Sequence, residues 1–329
     1  MSYLFPSSTI TIEAALRDIA KGSPKARAFA AHALGDVVDP TEKRRALEAL
    51  LAALDDDRPE VRAEACSSLG DLRESVAIAP LVKRLDDGSP PVRQNAAIAL
   101  GTIGDAAGFE PLALALAEGP ADLRFQAATS LAEIDAKRAF DPLMVALTDK
   151  DPQVVSAAAL ALGAINDQRA VEALRAILDH NDGGARFDAA YALAELNDPS
   201  GRGFLVGSLA DPERAWDAVT ALATLGTSAD VDALSRALTD RKVPPEATIL
   251  AAGSVLRLGN GASEPARRVL LAGLAARKTH VRGLAVEQLG EVAGAWAVAP
   301  LEKLAKSGKG GELLEAIATA LRSIAERAK

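Results

Sequence analysis

One short phrase recurs along the chain: a proline, a β-branched residue and an arginine, then paired alanines, then Leu-Gly and a further aliphatic. It reads PEVRAEACSSLGDL from Pro59, PPVRQNAAIALGTI from Pro90, ADLRFQAATSLAEI from Ala121 and PQVVSAAALALGAI from Pro152. Aligned on its leucine, it sets anchors at Leu34, Leu69, Leu100, Leu131, Leu162, Leu193, Leu222, Val255, Leu289 and Leu321. The steps between them are 35, 31, 31, 31, 31, 29, 33, 34 and 32 residues. A unit of that size cannot bury its apolar face alone, and stacking on identical neighbours solves the problem. The pattern therefore predicts an all-α stacked solenoid, a fold that offers an extended surface rather than an enclosed reaction chamber.

A second, shorter phrase separates successive copies of the first: VAIAPLVKRLDD from Val76, AGFEPLALALAEG from Ala107, RAFDPLMVALTDKD from Arg138, RAVEALRAILDHND from Arg169. In the first of these Ile78, Leu81, Val82 and Leu85 share one helical stripe, so each repeat is two antiparallel helices, A then B. Pro80, Pro111, Pro142 and Pro300 fall in the first turn of A helices, and Pro59, Pro90, Pro152 and Pro212 in that of B helices, where a missing N–H costs nothing. Gly35, Gly70, Gly101, Gly163 and Gly290 follow the anchor. Glycine inside a helix costs about 1 kcal/mol relative to alanine, so its recurrence predicts close contact between repeats.

Aromatics are only 3% of the chain against 49% hydrophobic residues, which leaves Ala, Leu, Val and Ile to build the interior. The net charge of −8, with no Lys/Arg block, disfavours nucleic acid as a partner. A single cysteine, Cys66, excludes an intramolecular disulfide framework and reads as a small packed thiol in a reducing compartment. Without a signal-like start or an apolar run of ~18 residues, the expectation is a cytoplasmic protein with no membrane insertion, monomeric by itself. No linker-like break interrupts the repeats. One array is expected over 1–329, with an N-terminal capping repeat (1–37), central repeats (38–305) and a C-terminal capping helix (306–329).

The fuller phrase, D-P-x-V-R-x-x-A-A-x-A-L-G-x-I-x-D, is best formed at Asp151–Asp167 and Pro91–Asp105. It resembles the HEAT-like repeat of phycobilisome lyase subunits over almost the whole chain. That resemblance implies a right-handed α-solenoid of about ten antiparallel helix pairs with B helices on the concave face. It implies little about activity, because such repeats occur in many unrelated binding proteins. One activity it does suggest is a bilin-lyase-like subunit or chromophore chaperone acting on a phycobiliprotein, which would acquire visible absorbance when mixed with a bilin. The resemblance does not extend to iron-binding HEAT-like hydroxylases, which carry repeated His-Glu pairs. His32, His180 and His280 share no repeat position here, none is followed by Glu, and each reads as exposed or at a helix end.

An arginine ladder, Arg27, Arg62, Arg93, Arg124, Arg186 and Arg282, recurs once per repeat. With Asp57, Asp87, Asp122 and Asp151 in the turns that precede B helices, it reads as structural, bonding acids and carbonyls at repeat junctions. The acid run Asp55–Asp57 lacks regularly placed co-ligands for a metal. No nucleophile elbow, P-loop or dinucleotide fingerprint occurs, so no catalytic, cofactor or metal site is expected.

The positions just past the ladder hold Phe125, Phe187, Trp216 and Ile249. Ile98, Leu160 and Tyr191 lie on the same helical faces, interleaved with polar residues that include Gln126, Asp188 and Asp217. An apolar strip rimmed by acids predicts a partner-binding groove, against the alternative that these rings fill gaps between repeats. Phe109 and Phe140, in an A-helix slot otherwise held by Ile78 and Val171, read as core. The functional expectation is a non-enzymatic scaffold or regulatory adaptor of bacterial type that holds a protein partner on the B-helix face. A docking role for Tyr3 and Phe5 is a lesser alternative.

Overall fold

A computed structural model describes residues 10–259, 263–307 and 310–328, so Tyr3 and Phe5 lie outside the described residues. Among the described residues the chain forms nineteen α-helices and no strand. It divides into two compact units, Met1–Ala173 and Leu174–Lys329. The first contains α1 (Ile12–Lys21), α2 (Pro24–Gly35), α3 (Pro40–Ala53), α4 (Pro59–Leu72), α5 (Ile78–Arg84), α6 (Pro90–Ile103), α7 (Phe109–Glu118), α8 (Ala121–Ala146) and α9 (Pro152–Ile165). Helix α10 (Val171–Ile177) spans the division. The second contains α11 (Gly183–Glu195), α12 (Arg202–Ser208), α13 (Ala215–Leu225), α14 (Ser228–Ala237), α15 (Pro245–Leu258), α16 (Glu264–Gly273), α17 (Thr279–Val292), α18 (Val298–Ala305) and α19 (Leu314–Arg327).

The alternation of A and B helices follows from local chemistry. Pro59, Pro90 and Pro152 occupy the first position of α4, α6 and α9. Pro212 differs: it opens a turn, and α13 begins only at Ala215. Among the described residues five helices are closed by a left-handed residue, Arg73, Gly104, Asn166, Asn197 and Gly226. The carboxylates of Asp105 and Asp167 then accept the amides of Ala107 and Arg169, starting the short 3₁₀ turns that lead into α7 and α10. Within α8, Asp135 adopts an extended conformation (φ −157°, ψ 96°), which separates a B helix from the A helix of the next repeat.

In the first unit B helix packs on B helix in chain order, α2 on α4, α4 on α6 and α6 on α8; in the second, α11 on α13, α13 on α15, α15 on α17 and α17 on α19. Sequential layering of this kind is the packing of a repeat solenoid. The anchor leucines from Leu34 to Leu222, with Leu289, are completely buried, and Val255 nearly so. On α19, Ile317, Ala320 and Ile324 take the packed stripe, and Leu321 is half-buried. Phe109 and Phe140 are core, each covered by the next repeat's arginine, Arg138 or Arg169, at 4.0 Å from the ring centre.

The recurring glycines mark where B helices touch. A Cβ on Gly101 would lie 2.8 Å from Cβ of Ser130, and one on Gly70 would lie 3.0 Å from Cα of Ala99. Cys66 sits in the same tightly packed layer, completely buried, and burial pushes its thiol up to about 12. A neutral-pH alkylating reagent is expected to leave Cys66 unmodified in the folded protein and to label it promptly in denaturant. Labelling of the native state at the denatured rate would refute this.

Candidate protein-binding surface on the B helices

The arginine ladder is a set of junction clamps. Arg62 donates through Nε and Nη2 to Asp87, both at 2.8 Å, and through Nη1 to the Asp56 carbonyl at 2.9 Å. Arg124 does the same to Asp149, both at 2.7 Å, and to the Gly119 carbonyl. Arg27 grips Asp56 and Asp57, and Arg93 grips Asp122. The carbonyl comes from the turn preceding the arginine's own helix. The carboxylate comes from the following repeat rather than the preceding turn, and Asp149, not Asp151, is the partner of Arg124. Each arginine thus staples one repeat to the next. In the second unit the partners change: Arg282 donates to the Ala276 and Arg277 carbonyls and to Thr279, while Arg186 lies 5.2 Å from the Phe204 ring centre. The acid run is used in the same way, with Asp55 bonded to Arg84 and Asp56 and Asp57 to Arg27.

The aromatic and aliphatic strip separates into two classes. In the first unit Ile98, Phe125 and Leu160 are 42%, 37% and 39% exposed. In the second, Trp216 is 44% exposed and Tyr191 half-buried. Phe187 and Ile249, expected on the surface, are instead core, at 6% and 4%. The register is shared, so the difference arises from the neighbours. The Phe187 ring packs into the second unit's core beneath Arg214, whose guanidinium lies 5.2 Å from the ring centre. Ile249 extends its Cδ1 to 2.5 Å from where a Gly273 Cβ would be, so the missing side chain makes its room. Among the polar members, Gln126 is half-buried and donates to Thr129, Asp188 is half-buried, and Asp217 is exposed.

His32 lies in the last turn of α2, as expected, but is not exposed. It is half-buried, with Nδ1 2.9 Å from Glu64 Oε1 on the next B helix. Burial raises the Glu64 carboxyl above its usual range against the counteracting histidine; burial and then Asp36 raise Asp71. His280 pairs with Glu246 at 2.8 Å, and His180 accepts the Asp182 amide within a turn.

In the second unit, Trp216, Thr220, Leu250, Ser254, Gln288 and Glu291 line a depression of about 450 Å³ that crosses α13, α15 and α17. A second depression, about 830 Å³, lies between α17 and α19 and shares Glu287 and Glu291 with the first. Nearby, burial raises both the Glu195 carboxyl and the Tyr191 hydroxyl, the latter also through Glu195 and Asp217. Among the described residues no group of His, Cys, Asp or Glu is placed to hold a metal ion, and no helix is long and apolar enough to cross a membrane.

The family model for HEAT repeats matches residues 12–101, 47–125 and 109–194, together more than half of the 329 residues. The chain belongs to the HEAT-repeat family. No curated protein matches this HEAT-repeat chain significantly. Among solved structures, importin beta is similar at 13% identity with a TM-score of 0.54, over 95% of this chain and 52% of importin beta. The complex of CpcE and CpcF of phycocyanin lyase from Nostoc sp. PCC7120 is similar at 22% identity with a TM-score of 0.40, over 82% of this chain and 97% of that one. An engineered protein is similar at 22% identity with a TM-score of 0.43, over 95% of this chain and 98% of that one. At such identities the likeness shows the fold alone.

In this HEAT-repeat protein the B-helix face of the second unit is crossed by the depression beside Trp216. It presents a large exposed ring, small hydroxylated neighbours and carboxylates, a mixture suited to recognising a polypeptide. Thr220, Ser254, Glu287 and Glu291 escaped the sequence analysis although the anchor register could have found them. Glu287 stands two residues before its anchor leucine, as Tyr191 does, and Glu291 two after, as Glu195 does.

Proposed function

We propose that this HEAT-repeat protein is a non-catalytic scaffold that holds a polypeptide partner against its B-helix face, with assembly or regulation of that partner as its output. The observation that carries this reading is Trp216. A 44% exposed indole on a groove crossing three successive B helices has the character of an interface anchor, because large aromatic side chains supply much of the binding energy of protein interfaces. Its neighbours Thr220, Thr224 and Ala223 are small, so a partner side chain can reach the ring. The repeat architecture suits this role, since stacking extends a surface without closing a chamber.

The test is a titration of a purified partner recovered with the full chain. Trp216→Ala is expected to change folding stability by no more than about 0.5 kcal/mol, as for a surface residue. It should weaken partner binding by about 2 kcal/mol, roughly thirtyfold. Equal binding by the wild type and by Trp216→Ala would place the contact elsewhere and overturn the reading.

A further inference from the structure

The groove of the second unit is net acidic. Its shared wall is Glu287 and Glu291, its far end adds Glu312 and Glu315, and all four are exposed. Toward α11 the series continues with Asp217 and Glu195. The cations present are occupied: Arg257 lies 4.0 Å from Glu291, and Arg327 donates to the Gly290 and Ala293 carbonyls at the end of α17. A second observation points to a ligand in the same place. Ser254, 1% exposed, lines the groove near Trp216, and its Oγ makes no hydrogen bond within the protein. A buried hydroxyl is normally paired. Here the unpaired hydroxyl lies in the wall of the groove, beneath its surface.

We propose that the occupant is a lysine- and arginine-rich polypeptide segment that sets one large apolar side chain against Trp216 and its cations along Glu287, Glu291, Glu312 and Glu315. This rests on the scaffold reading and names the chemistry of its partner. The dimensions favour a polypeptide over a small cation. Four B helices packed at about 9 Å intervals span about 27 Å, the reach of about eight extended residues. Charge complementarity decides the sign, since four glutamates line the groove against two arginines that are already engaged, and it steers the encounter.

The test selects a random-sequence peptide display library on the full-length chain and measures the affinity of a recovered peptide. Enriched peptides should be rich in Lys and Arg with one large apolar residue, and their binding should weaken as salt is raised. Glu287→Lys combined with Glu315→Lys should weaken binding by about tenfold or more, with Glu287→Gln and Glu315→Gln as a milder pair moving the same way. A circular-dichroism melt like that of the wild type verifies the fold of each variant. Acidic or uncharged peptides, or binding indifferent to the glutamate changes, would overturn the cationic occupant. If such neutral peptides still lose affinity in Trp216→Ala, the scaffold reading survives. If no peptide is enriched, both fall.

Discussion

Phe187→Ala is expected to destabilise the protein by about 3–5 kcal/mol, while Trp216→Ala, at the same register of the next B helix, changes stability little. The two rings occupy equivalent places in the repeat, six residues before their anchor leucines. Phe187 is 6% exposed and belongs to a core with Ala190, Leu205 and Leu222, so truncation removes its transfer energy and leaves a cavity. Arg214 would also lose the ring beneath it. Trp216 is 44% exposed, and its removal opens no comparable void. Urea midpoints for the two variants provide the measurement. Similar losses in both would mean that register rather than packing governs these positions, and would remove Trp216 as a free anchor. The contrast also corrects the expectation that both rings line one accessible strip.

The fold was legible because its determinants are local and repeated. Proline at the first helical turn, the apolar stripe of the A helix and the anchor leucine each act within one repeat, and repetition multiplies a weak signal. The glycines after the anchor could be read correctly because a helix-interior glycine needs a steric reason; Ser130 against Gly101 and Ala99 against Gly70 supply it. The arginine ladder was legible as structure but not in its direction. Acids both precede and follow Arg62, Arg93 and Arg124 in sequence, and only the stacking of repeats decides that Arg62 reaches forward to Asp87. The accessible strip was half legible. Its register is a property of one helix, but exposure depends on the residue opposite, such as Gly273 making room for Ile249. The groove acids were not legible because glutamates are common: Glu287 gains its meaning from the stacking that brings α17 beside Trp216, and Glu315 from the packing of α19 on α17.

Arg124→Ala is expected to cost about 3–5 kcal/mol at neutral pH, the usual consequence of leaving a buried partner charge uncompensated. Arg124 and Asp149 are only 9% and 14% exposed in their side chains, and the arginine also satisfies the Gly119 carbonyl. Its hydrogen bonds hold the Asp149 carboxyl below its ordinary value of 3.8, opposed by burial, and Arg62 does the same for Asp87. The sign of the pH dependence follows. A carboxyl whose folded pKa is depressed contributes stability that is complete above its unfolded value and is lost as pH falls through the folded one. The wild type should therefore lose stability from just above the ordinary carboxylate pKa downward. In Arg124→Ala the largest lowering influence on Asp149 is gone and burial is opposed only by the Asp151 amide and Lys150, so part of the acid loss disappears and the gap between variant and wild type narrows below about pH 4. The double change Arg124→Ala with Asp149→Ala should recover part of the deficit, since no buried charge is left behind. Urea midpoints from neutral pH to pH 3 distinguish the outcomes. A gap independent of pH would mean that Arg124 stabilises the junction through its contact with the Gly119 carbonyl and its packing, and that the clamp on Asp149 is energetically silent.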